Sequence, residues 1–338
     1  MTDTINLGLI GAGRIGRIHA ENLTRRLPGA RLLAVADIFV EAAQKVAADF
    51  DIPNAYADPS PIFADPAIDA VVICSSTDTH ADFIEQAAAA GKHIFCEKPI
   101  HLDLDRIDQA LAAVDAAGVK LQIGFNRRFD PNFRRAQELV ASGAIGEPQI
   151  LRITSRDPAP PPIDYIKVSG GIFLDMTIHD FDMARFLIGD EVAELYATGG
   201  VMVDQAIGEA GDIDTALISL KYRNGVIGSI DNSRQAVYGY DQRVEIFGSE
   251  GVVMVGNVRP DTAVLTNIQG EHRAKPLYFF LERYTESYLA EMRAFLQAIR
   301  ADTTPLVTGA DGRIPVVMGY AAWESYRTNR PIQVKLDE

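Results

Sequence analysis

The chain has 338 residues, of which 47% are hydrophobic and 23% charged, and this composition is typical of a folded protein with room for two domains. Its formal net charge of -14 excludes the broad positive surface that attracts nucleic acids and anionic membranes. With Cys74 and Cys96 as its only two cysteines, the chain has no disulfide scaffold, and both are expected as buried apolar residues.

Neither a secretory signal nor a membrane span is expected. The first residues, Met1–Thr4, are polar and run directly into a strand pattern. No apolar stretch reaches the ~20 residues that a helix needs to cross a bilayer. These features predict a cytoplasmic protein.

Residues 1–124 alternate short apolar runs with helical patterns, which predicts an α/β domain with a doubly wound parallel sheet and right-handed crossovers. The predicted strands are Ile5–Ile10, Leu32–Ala36, Ala70–Cys74, His93–Cys96 and Lys120–Gly124, with a weaker one near Asn54–Ala57. The helical patterns between them are Arg14–Leu27, Val40–Asp49, Thr79–Ala90 and Leu104–Ala117.

Three glycines with the spacing GxGxxG, Gly11, Gly13 and Gly16, follow the first strand and open a helix. In dinucleotide-binding proteins the first permits a tight turn, the second lets the backbone approach the pyrophosphate, and the third lets the helix pack closely. The pyrophosphate then lies on free N–H groups at the helix N-terminus, where Arg14 and Ile15 are expected cofactor contacts. The alternative is an ordinary glycine-rich turn.

Asp37 ends the second strand about 20 residues after the glycines, where a carboxylate accepts both ribose hydroxyls. A carboxylate there repels a 2′-phosphate. Ile38 and Phe39 follow, so no arginine is present to hold that phosphate. The sequence therefore favours NAD over NADP, with Asp37 and Ile38 among the cofactor contacts.

Small hydroxyl side chains follow the strand Ala70–Cys74, at the edge of the sheet where ligands bind. Ser75, Thr77 and His80 are expected along the cofactor path. Two alternatives stay open: Thr79 as the N-cap of the next helix, and a capping or packing role for His80.

Glu97, Lys98 and Pro99 end the strand that begins at His93, on the same edge of the sheet. Oxidation of an alcohol removes a hydroxyl proton while the carbon loses a hydride, and an ammonium beside that oxygen stabilises developing alkoxide character. Lys98 is therefore a candidate catalytic residue, and Glu97 and Lys98 are candidate cofactor contacts. The alternative is a surface Glu–Lys pair before a proline turn.

After Phe125 the pattern changes, and residues 125–338 are expected to form a second domain with a mostly antiparallel sheet, open on one side. Period-two strands between Val192 and Thr266 succeed one another without helices. The other predicted elements are a helix at Pro131–Ser142, a strand at Gln149–Ser155, a proline-rich loop at 157–162, a hairpin of Thr215–Tyr222 with Val226–Asp231, helices at Tyr284–Arg300 and Gly312–Thr328, and a last strand at Ile332–Lys335.

Within the segment Phe173–Ile188, which we predict to be one helix, Asp175, His179 and Asp182 fall on one otherwise apolar face. Burying such groups costs several kcal/mol unless they are paired or functional, which argues against a solvated face. His179 suits a general base because its unperturbed pKa lies near neutral pH, and Asp175 would bind a substrate hydroxyl or orient the site. A metal site is the other alternative, but neither cysteine nor any other histidine lies nearby in sequence, and no metal is expected.

Together these motifs resemble the glucose–fructose oxidoreductase/inositol dehydrogenase/rhizopine-catabolism (Gfo/Idh/MocA) family over essentially the whole chain. The longer segments are most similar to its inositol 2-dehydrogenase branch, and they are Gly124–Asp130, Gly170–Asp182 and Tyr238–Asp241. The resemblance implies a Rossmann domain, followed by an α/β domain built on a large open sheet.

The resemblance also implies roles for individual residues. Lys98, Asp175 and His179 would form a catalytic triad in which His179 takes the hydroxyl proton and Lys98 assists. The polyol contacts would be Lys98, Arg127, Ser155, Asp157, Asp175, His179, Asp182 and Tyr240. Other members carry His and Asn where this chain has Ser155 and Asp157, so the resemblance leaves the accepted ring stereochemistry open.

The hypothesis at this stage is NAD-dependent oxidation of myo-inositol to 2-keto-myo-inositol (scyllo-inosose) by a homotetramer that associates through the open sheet face. The same chemistry on scyllo- or D-chiro-inositol, or on a pyranose such as glucose, is the first alternative. A dinucleotide-binding sensor without turnover is the second, and the intact Lys98, Asp175 and His179 argue against it. Arg127 with Arg128 as a surface pair, and Tyr240 as a packing residue, also stay open.

Overall fold

The computed structural model describes residues 4–336. The expectation that there is no secretory signal depends in part on Met1–Asp3, and these residues lie outside the described ones. Within residues 4–336, no helix is both long enough and apolar enough to cross a membrane. Cys96 is buried and Cys74 partly buried, and both thiols are free.

Strands and helices alternate through the first part of the chain, as predicted. The elements are β1 (Ile5–Ile10), α1 (Arg14–Glu21), β2 (Ala30–Ala36), α2 (Val40–Asp49), β3 (Asn54–Tyr56), α3 (Ser60–Ala64), β4 (Ala70–Ile73), α4 (Thr77–Ala89), β5 (His93–Glu97), α5 (Leu104–Ala117) and β6 (Leu121–Gly124). The six strands form one parallel sheet in the order β3-β2-β1-β4-β5-β6, which confirms the predicted Rossmann fold.

The remaining chain is richer in short elements than predicted. They are α6 (Pro131–Ala141), β7 (Pro148–Arg156), α7 (Ile163–Ile166), α8 (Ile172–Asp175), α9 (Thr177–Ile188), β8 (Val192–Gly200), α10 (Gln205–Glu209), β9 (Thr215–Tyr222), β10 (Ile227–Ser233), β11 (Asp241–Gly248), β12 (Val252–Val255), β13 (Val264–Asn267), β14 (Gly270–Arg273), α11 (Phe280–Arg283), α12 (Thr285–Ala301), α13 (Gly309–Thr328) and β15 (Ile332–Gln333). The expectation of strands without helices was wrong at α10, whose first turn is capped by the side chain of Asp204.

The large second sheet has the order β12-β11-β7-β10-β9-β8-β15, and every neighbouring pair is antiparallel except β7 with β10. One face is covered, in part by α9, which packs against β7 and β10. On the other face side chains such as Leu217 and Ile227 are exposed. The predicted mostly antiparallel, one-sided sheet is therefore confirmed.

The described residues divide into two compact units whose boundaries differ from the single predicted one at residue 125. The first unit is the chain up to Phe129 together with Glu286–Arg313; the second is Asp130–Thr285 together with the chain from Ile314. The chain returns to the first unit at Glu286 because apolar side chains of α12 are buried there. Four residues of this helix join the core formed by β1, β2, β4 and β5. They are Leu289, Met292, Phe295 and Leu296.

Candidate active site

Each glycine of the dinucleotide turn meets a different requirement. Gly11 has a φ of 99°, and a Cβ there would lie 2.5 Å from the backbone of Cys74. A Cβ on Gly16 would lie 1.9 Å from the carbonyl oxygen of Gly11, so α1 packs too closely on the turn for a side chain. At Gly13 no described atom lies within 4 Å of the Cβ position, and no described side chain caps α1. A pyrophosphate can therefore approach the backbone at Gly13 and the first N–H groups of the helix.

The carboxylate of Asp37 fastens this turn to the end of β2. One of its oxygens accepts a hydrogen bond from the N–H of Ala12 at 2.7 Å, and the other accepts from the N–H of Phe39 at 2.9 Å. Each oxygen keeps a further lone pair, so the same carboxylate can accept two ribose hydroxyls. Ile38 is exposed beside it. These groups fit the adenosine side of NAD.

His80 is buried and bridges two loops. Its ring nitrogens lie 2.8 Å from the carbonyl oxygen of Pro99 and 3.0 Å from that of Ser75. This placement favours the packing role over cofactor contact. Because α4 begins at Thr77, the alternative of Thr79 as its N-cap was wrong; the Thr79 hydroxyl instead lies 2.7 Å from that of Ser75.

The end of β5 is anchored from inside the first unit. The carboxylate of Glu97 lies 2.9 Å from Nε2 of His19 in α1, and the His19 side chain is fully buried. Lys98 follows directly and is partly buried, so the surface-pair alternative was wrong. Arg127, in a short 3-10 turn after β6, is also buried, so the alternative of Arg127 and Arg128 as a surface pair was wrong.

In the second unit two side chains hold the carboxylate of Asp175. The Tyr165 hydroxyl donates to Oδ1 at 2.8 Å, and Nη1 of Arg234 donates to Oδ2 at 3.2 Å. The second arm of Arg234 donates to Asp212 at 3.4 Å, and the Arg234 side chain is only 1% exposed. We refer to Arg234, Asp175 and Asp212 as the Arg234 cluster.

The two side chains that hold Asp175 are a cation and a neutral hydroxyl. Burial alone would lower the pKa of Arg234, but the charges of Asp175, Asp212 and Asp157 outweigh it and raise that pKa. Burial, and then the charge of Asp175, raise the pKa of Tyr165, so its hydroxyl keeps its proton. With a permanent cation on one oxygen and a neutral donor on the other, Asp175 is suited to accept a hydrogen bond from a substrate hydroxyl.

Asp175 and His179 do not share one continuous helix, and that prediction was wrong. Helix α8 ends at Asp175 and α9 begins at Thr177, because the two helices are anchored separately. Asp212 accepts from the first N–H of α8 at 3.0 Å. For α9, the Thr177 hydroxyl donates to the Asn232 side chain at 2.6 Å. His179 therefore lies in the first turn of α9, where it is partly buried.

The remaining predicted polyol contacts differ in exposure. Asp157, just beyond β7, is partly exposed, and its main chain pairs with the carbonyl of Ser233 at 2.9 Å. Ser155 and Asp182 are fully buried, and the Ser155 hydroxyl bonds to the Gln242 side chain. For these two, contact with a hydroxyl of a ligand stays a prediction.

Tyr240 is buried, and its ring packs edge-on against Tyr284 with 6.0 Å between the ring centres. Its N–H donates to the carbonyl of Leu277 at 3.0 Å. These contacts favour the packing alternative for the ring, and a role of its hydroxyl in substrate binding stays a prediction.

Sequence reasoning missed Arg234, Tyr165 and Asn232. A signal was present for two of them, since Ile230, Asn232 and Arg234 alternate along the end of β10 on its buried side. An amide and a guanidinium at inward positions indicate that polar partners lie opposite. No comparable signal precedes Tyr165, which follows the proline-rich loop.

Among residues 4–336, one group of three side chains offers ligand atoms close enough together for a metal ion, namely His19, Glu97 and Glu291. Their candidate atoms lie within 4.8 Å of one another. Neither Asp175 nor His179 belongs to this group.

Comparison with known proteins places both parts of the chain in one family. Residues 5–125 match the family model described as an oxidoreductase family with an NAD-binding Rossmann fold. Residues 133–254 match the GFO/IDH/MocA C-terminal domain. The two matches together cover most of the chain.

Similarity to individual proteins extends over whole chains. The sequence is 51% identical to the myo-inositol 2-dehydrogenase of Thermotoga maritima, with 99% of each chain covered. It is 47% identical to the inositol 2-dehydrogenase of Rhizobium meliloti, covering 98% of this chain and 99% of the relative. The crystal structure of the scyllo-inositol dehydrogenase of Lactobacillus casei with bound NAD(H) and scyllo-inositol matches with a TM-score of 0.91 at 30% identity, covering 98% and 99%.

Proposed function

The chain belongs to the GFO/IDH/MocA family of NAD-binding oxidoreductases, and on that basis we propose that it is an NAD-dependent inositol 2-dehydrogenase that oxidises myo-inositol to 2-keto-myo-inositol (scyllo-inosose). The observation that carries the proposal is the 51% identity to a myo-inositol 2-dehydrogenase over the full length of both chains. The glycine turn and Asp37 supply a matching dinucleotide site.

The reaction converts a ring C–OH to C=O. Bound NAD supplies the acceptor for the hydride that leaves the ring carbon. His179 takes the hydroxyl proton, because an imidazole near neutral pH can act as a general base. Lys98 stabilises the oxygen as it gains alkoxide character. Asp175, held by Tyr165 and Arg234, accepts a hydrogen bond from a ring hydroxyl and orients the ring.

A neutral ring that carries several hydroxyls suits a site of short polar and charged side chains. We propose that Arg127, Asp157, Asp182 and Tyr240 contribute hydrogen bonds to those hydroxyls, with Ser155 beside Asp157 in the wall that differs between relatives. The second candidate substrate is scyllo-inositol, because a structurally similar dehydrogenase was solved with that isomer.

The test is NADH formation at 340 nm with myo-inositol, scyllo-inositol, D-chiro-inositol and glucose, each with NAD and with NADP. We expect turnover of myo-inositol with NAD, and its loss in His179→Ala. Turnover of another polyol alone would keep the mechanism and contradict the substrate. Tight NAD binding without any turnover would indicate the sensor.

The cofactor site has its own test in Gly13→Ala. The new methyl group meets no described atom, so the protein should fold normally, whereas a bound pyrophosphate loses its close approach to the backbone. We expect NAD affinity to fall about tenfold or more with an unchanged melting temperature. The control is Gly256→Ala, which also places its methyl group in open space and should leave NAD affinity unchanged. Gly143→Ala is not suitable as a control, because Gly143 has a positive φ that alanine rarely adopts.

We further propose that the protein is a cytoplasmic homotetramer that associates through the open face of the large sheet. This face combines ion pairs, such as Arg156 with Asp231 at 2.6 Å, with exposed apolar side chains. The apolar ones are Leu217, Ile227, Phe247 and Met254. Leu217→Glu should lower the mass measured by light scattering, and an unchanged mass would contradict this interface.

A further inference from the structure

A buried cluster of ionisable groups lies behind the end of β5, and the proposed chemistry does not use it. It consists of His19 in α1, Glu97 at the end of β5 and Glu291 in α12, and we call it the His19 cluster. Nε2 of His19 lies 2.9 Å from Oε1 of Glu97 and 3.9 Å from Oε1 of Glu291. His19 and Glu291 are fully buried, and Glu97 is 13% exposed. The residue before Lys98 is thus tied into the interior of the first unit.

Packing leaves the Glu97 side chain little freedom. Gly124 is its partner on β6, and a Cβ on Gly124 would lie 2.9 Å from the Glu97 carboxylate. The ring of His19 is itself fixed by edge contacts with Phe95 and Tyr288, with 5.1 and 5.8 Å between ring centres. The Glu97 side chain therefore lies between the His19 ring and the bare backbone at Gly124, and this packing restricts its orientation.

Burial favours the protonated form of one carboxyl group in the His19 cluster. Burial, and then the charge of Glu97, raise the pKa of Glu291 well above its ordinary value. Neither of its carboxyl oxygens has a hydrogen-bond partner among the described residues, which a charged carboxylate would not tolerate. Of the two carboxyl groups, Glu97 is the one within hydrogen-bond distance of Nε2 of His19.

Of the other titratable groups around the cluster, Cys74, Cys96 and His80 favour their neutral forms. Burial, then the charge of Glu97, raise the pKa of the Cys74 and Cys96 thiols, which stay protonated. Burial lowers the pKa of His80, which stays neutral. The charge of Lys98, the next residue along the chain after Glu97, also lowers the pKa of His80.

We propose that Glu97 is a positioning residue for Lys98, held in one orientation by His19. Lys98 lies in the bend that directly follows β5, so a Glu97 fixed toward His19 holds the end of the strand from which Lys98 leaves. The inference rests on the proposed function, because the direction of Lys98 matters to catalysis only if the chain is a dehydrogenase.

The test compares Glu97→Ala, His19→Ala and the double variant with the wild type. A displaced catalytic lysine should lower kcat by about 10–100-fold in either single variant, and in His19→Ala the dissociation constant for NAD should be unchanged. If His19 acts only through Glu97, the double variant should lose no more than a single one. Glu97→Gln, which keeps the shape and an acceptor for His19, should recover most of the loss. Glu21→Ala, an exposed glutamate of α1, is the matched control.

A second readout does not depend on turnover. The rate at which acetic anhydride modifies Lys98, measured by peptide mapping against exposed Lys45, should change by the same factor in Glu97→Ala and His19→Ala. Equal changes in Lys98 reactivity support the positioning role even if no polyol is oxidised, in which case the proposed function alone fails. Unchanged Lys98 reactivity, or losses of kcat that multiply in the double variant, would overturn the inference.

Discussion

The two units each bury an ionisable cluster beside a proposed catalytic residue, and they neutralise the buried charge in different ways. In the Arg234 cluster a permanent cation lies between two carboxylates. In the His19 cluster two carboxyl groups lie near one imidazole, and burial, then the charge of Glu97, raise the pKa of Glu291 and so favour its protonated form. A fixed cation is insensitive to pH, whereas a proton is not. The comparison therefore predicts that removing a charge lowers the stability most in the second unit. It also predicts that the pH dependence of stability arises mainly in the first unit.

The largest effect is expected for Arg234→Gln. The change removes the buried cation between Asp175, which is 14% exposed, and Asp212, which is 4% exposed, and it should lower the free energy of unfolding by about 3–5 kcal/mol. Urea unfolding measures that loss. Polyol turnover should fall as well, because Asp175 loses its orientation.

Two further variants identify charge as the cause. Arg135→Gln removes an exposed arginine 3.3 Å from Glu138 and should cost no more than about 1 kcal/mol. Adding Asp212→Asn to Arg234→Gln removes one of the unpaired charges and should restore part of the stability. If Arg234→Gln is as mild as Arg135→Gln, the Arg234 cluster is not held together by charge.

An intermediate effect that depends on pH is expected for Glu291→Gln. An unfolded chain releases the proton of Glu291 near the ordinary value of 4.5, whereas the folded protein retains it to higher pH. Wild-type stability therefore falls relative to the variant as pH rises above about 4.5, by about 1.4 kcal/mol per pH unit until the folded pKa is reached. Melting temperatures from pH 5 to pH 8 measure this difference.

The control for that experiment is Glu286→Gln, an exposed glutamate in the same helix. Its melting temperature should follow the wild type across the pH range. A constant difference between wild type and Glu291→Gln over this range would mean that Glu291 is ionised in the folded protein, and the contrast between the two clusters would fail.

The smallest effect is expected for Tyr165→Phe. Tyr165 as a residue is 48% exposed, so loss of the hydroxyl should change the free energy of unfolding by less than about 1 kcal/mol. Asp175 loses one donor and keeps Arg234, so kcat/KM should fall by about threefold to tenfold. Steady-state kinetics on the best polyol measure it, and Tyr238→Phe, whose hydroxyl bonds to Asp241, is a matched control. A loss equal to that of Arg234→Gln would mean that Tyr165 touches the substrate.

The sequence by itself determined the features that depend on backbone conformation and periodicity. The spacing of Gly11, Gly13 and Gly16 reflects a turn in which a side chain at Gly11 or at Gly16 would clash with the backbone. Asp37 could be identified because it comes at the end of a predicted strand. The alternation of apolar runs was enough to predict six parallel strands and the open antiparallel sheet. These requirements are local, because each depends on residues that are close together in the sequence.

Only the tertiary structure decided how the buried charges are paired. Arg234 meets Asp175 from 59 positions away, and Glu291 reaches His19 only because α12 returns to the core of the first unit. Local propensity contains no information about such partners, since the free energy of a buried charge depends on what folding brings opposite it. The break between α8 and α9 has the same origin. Asp212 and Asn232, both distant in sequence, anchor the two helices separately, whereas the helical periodicity continues across the break.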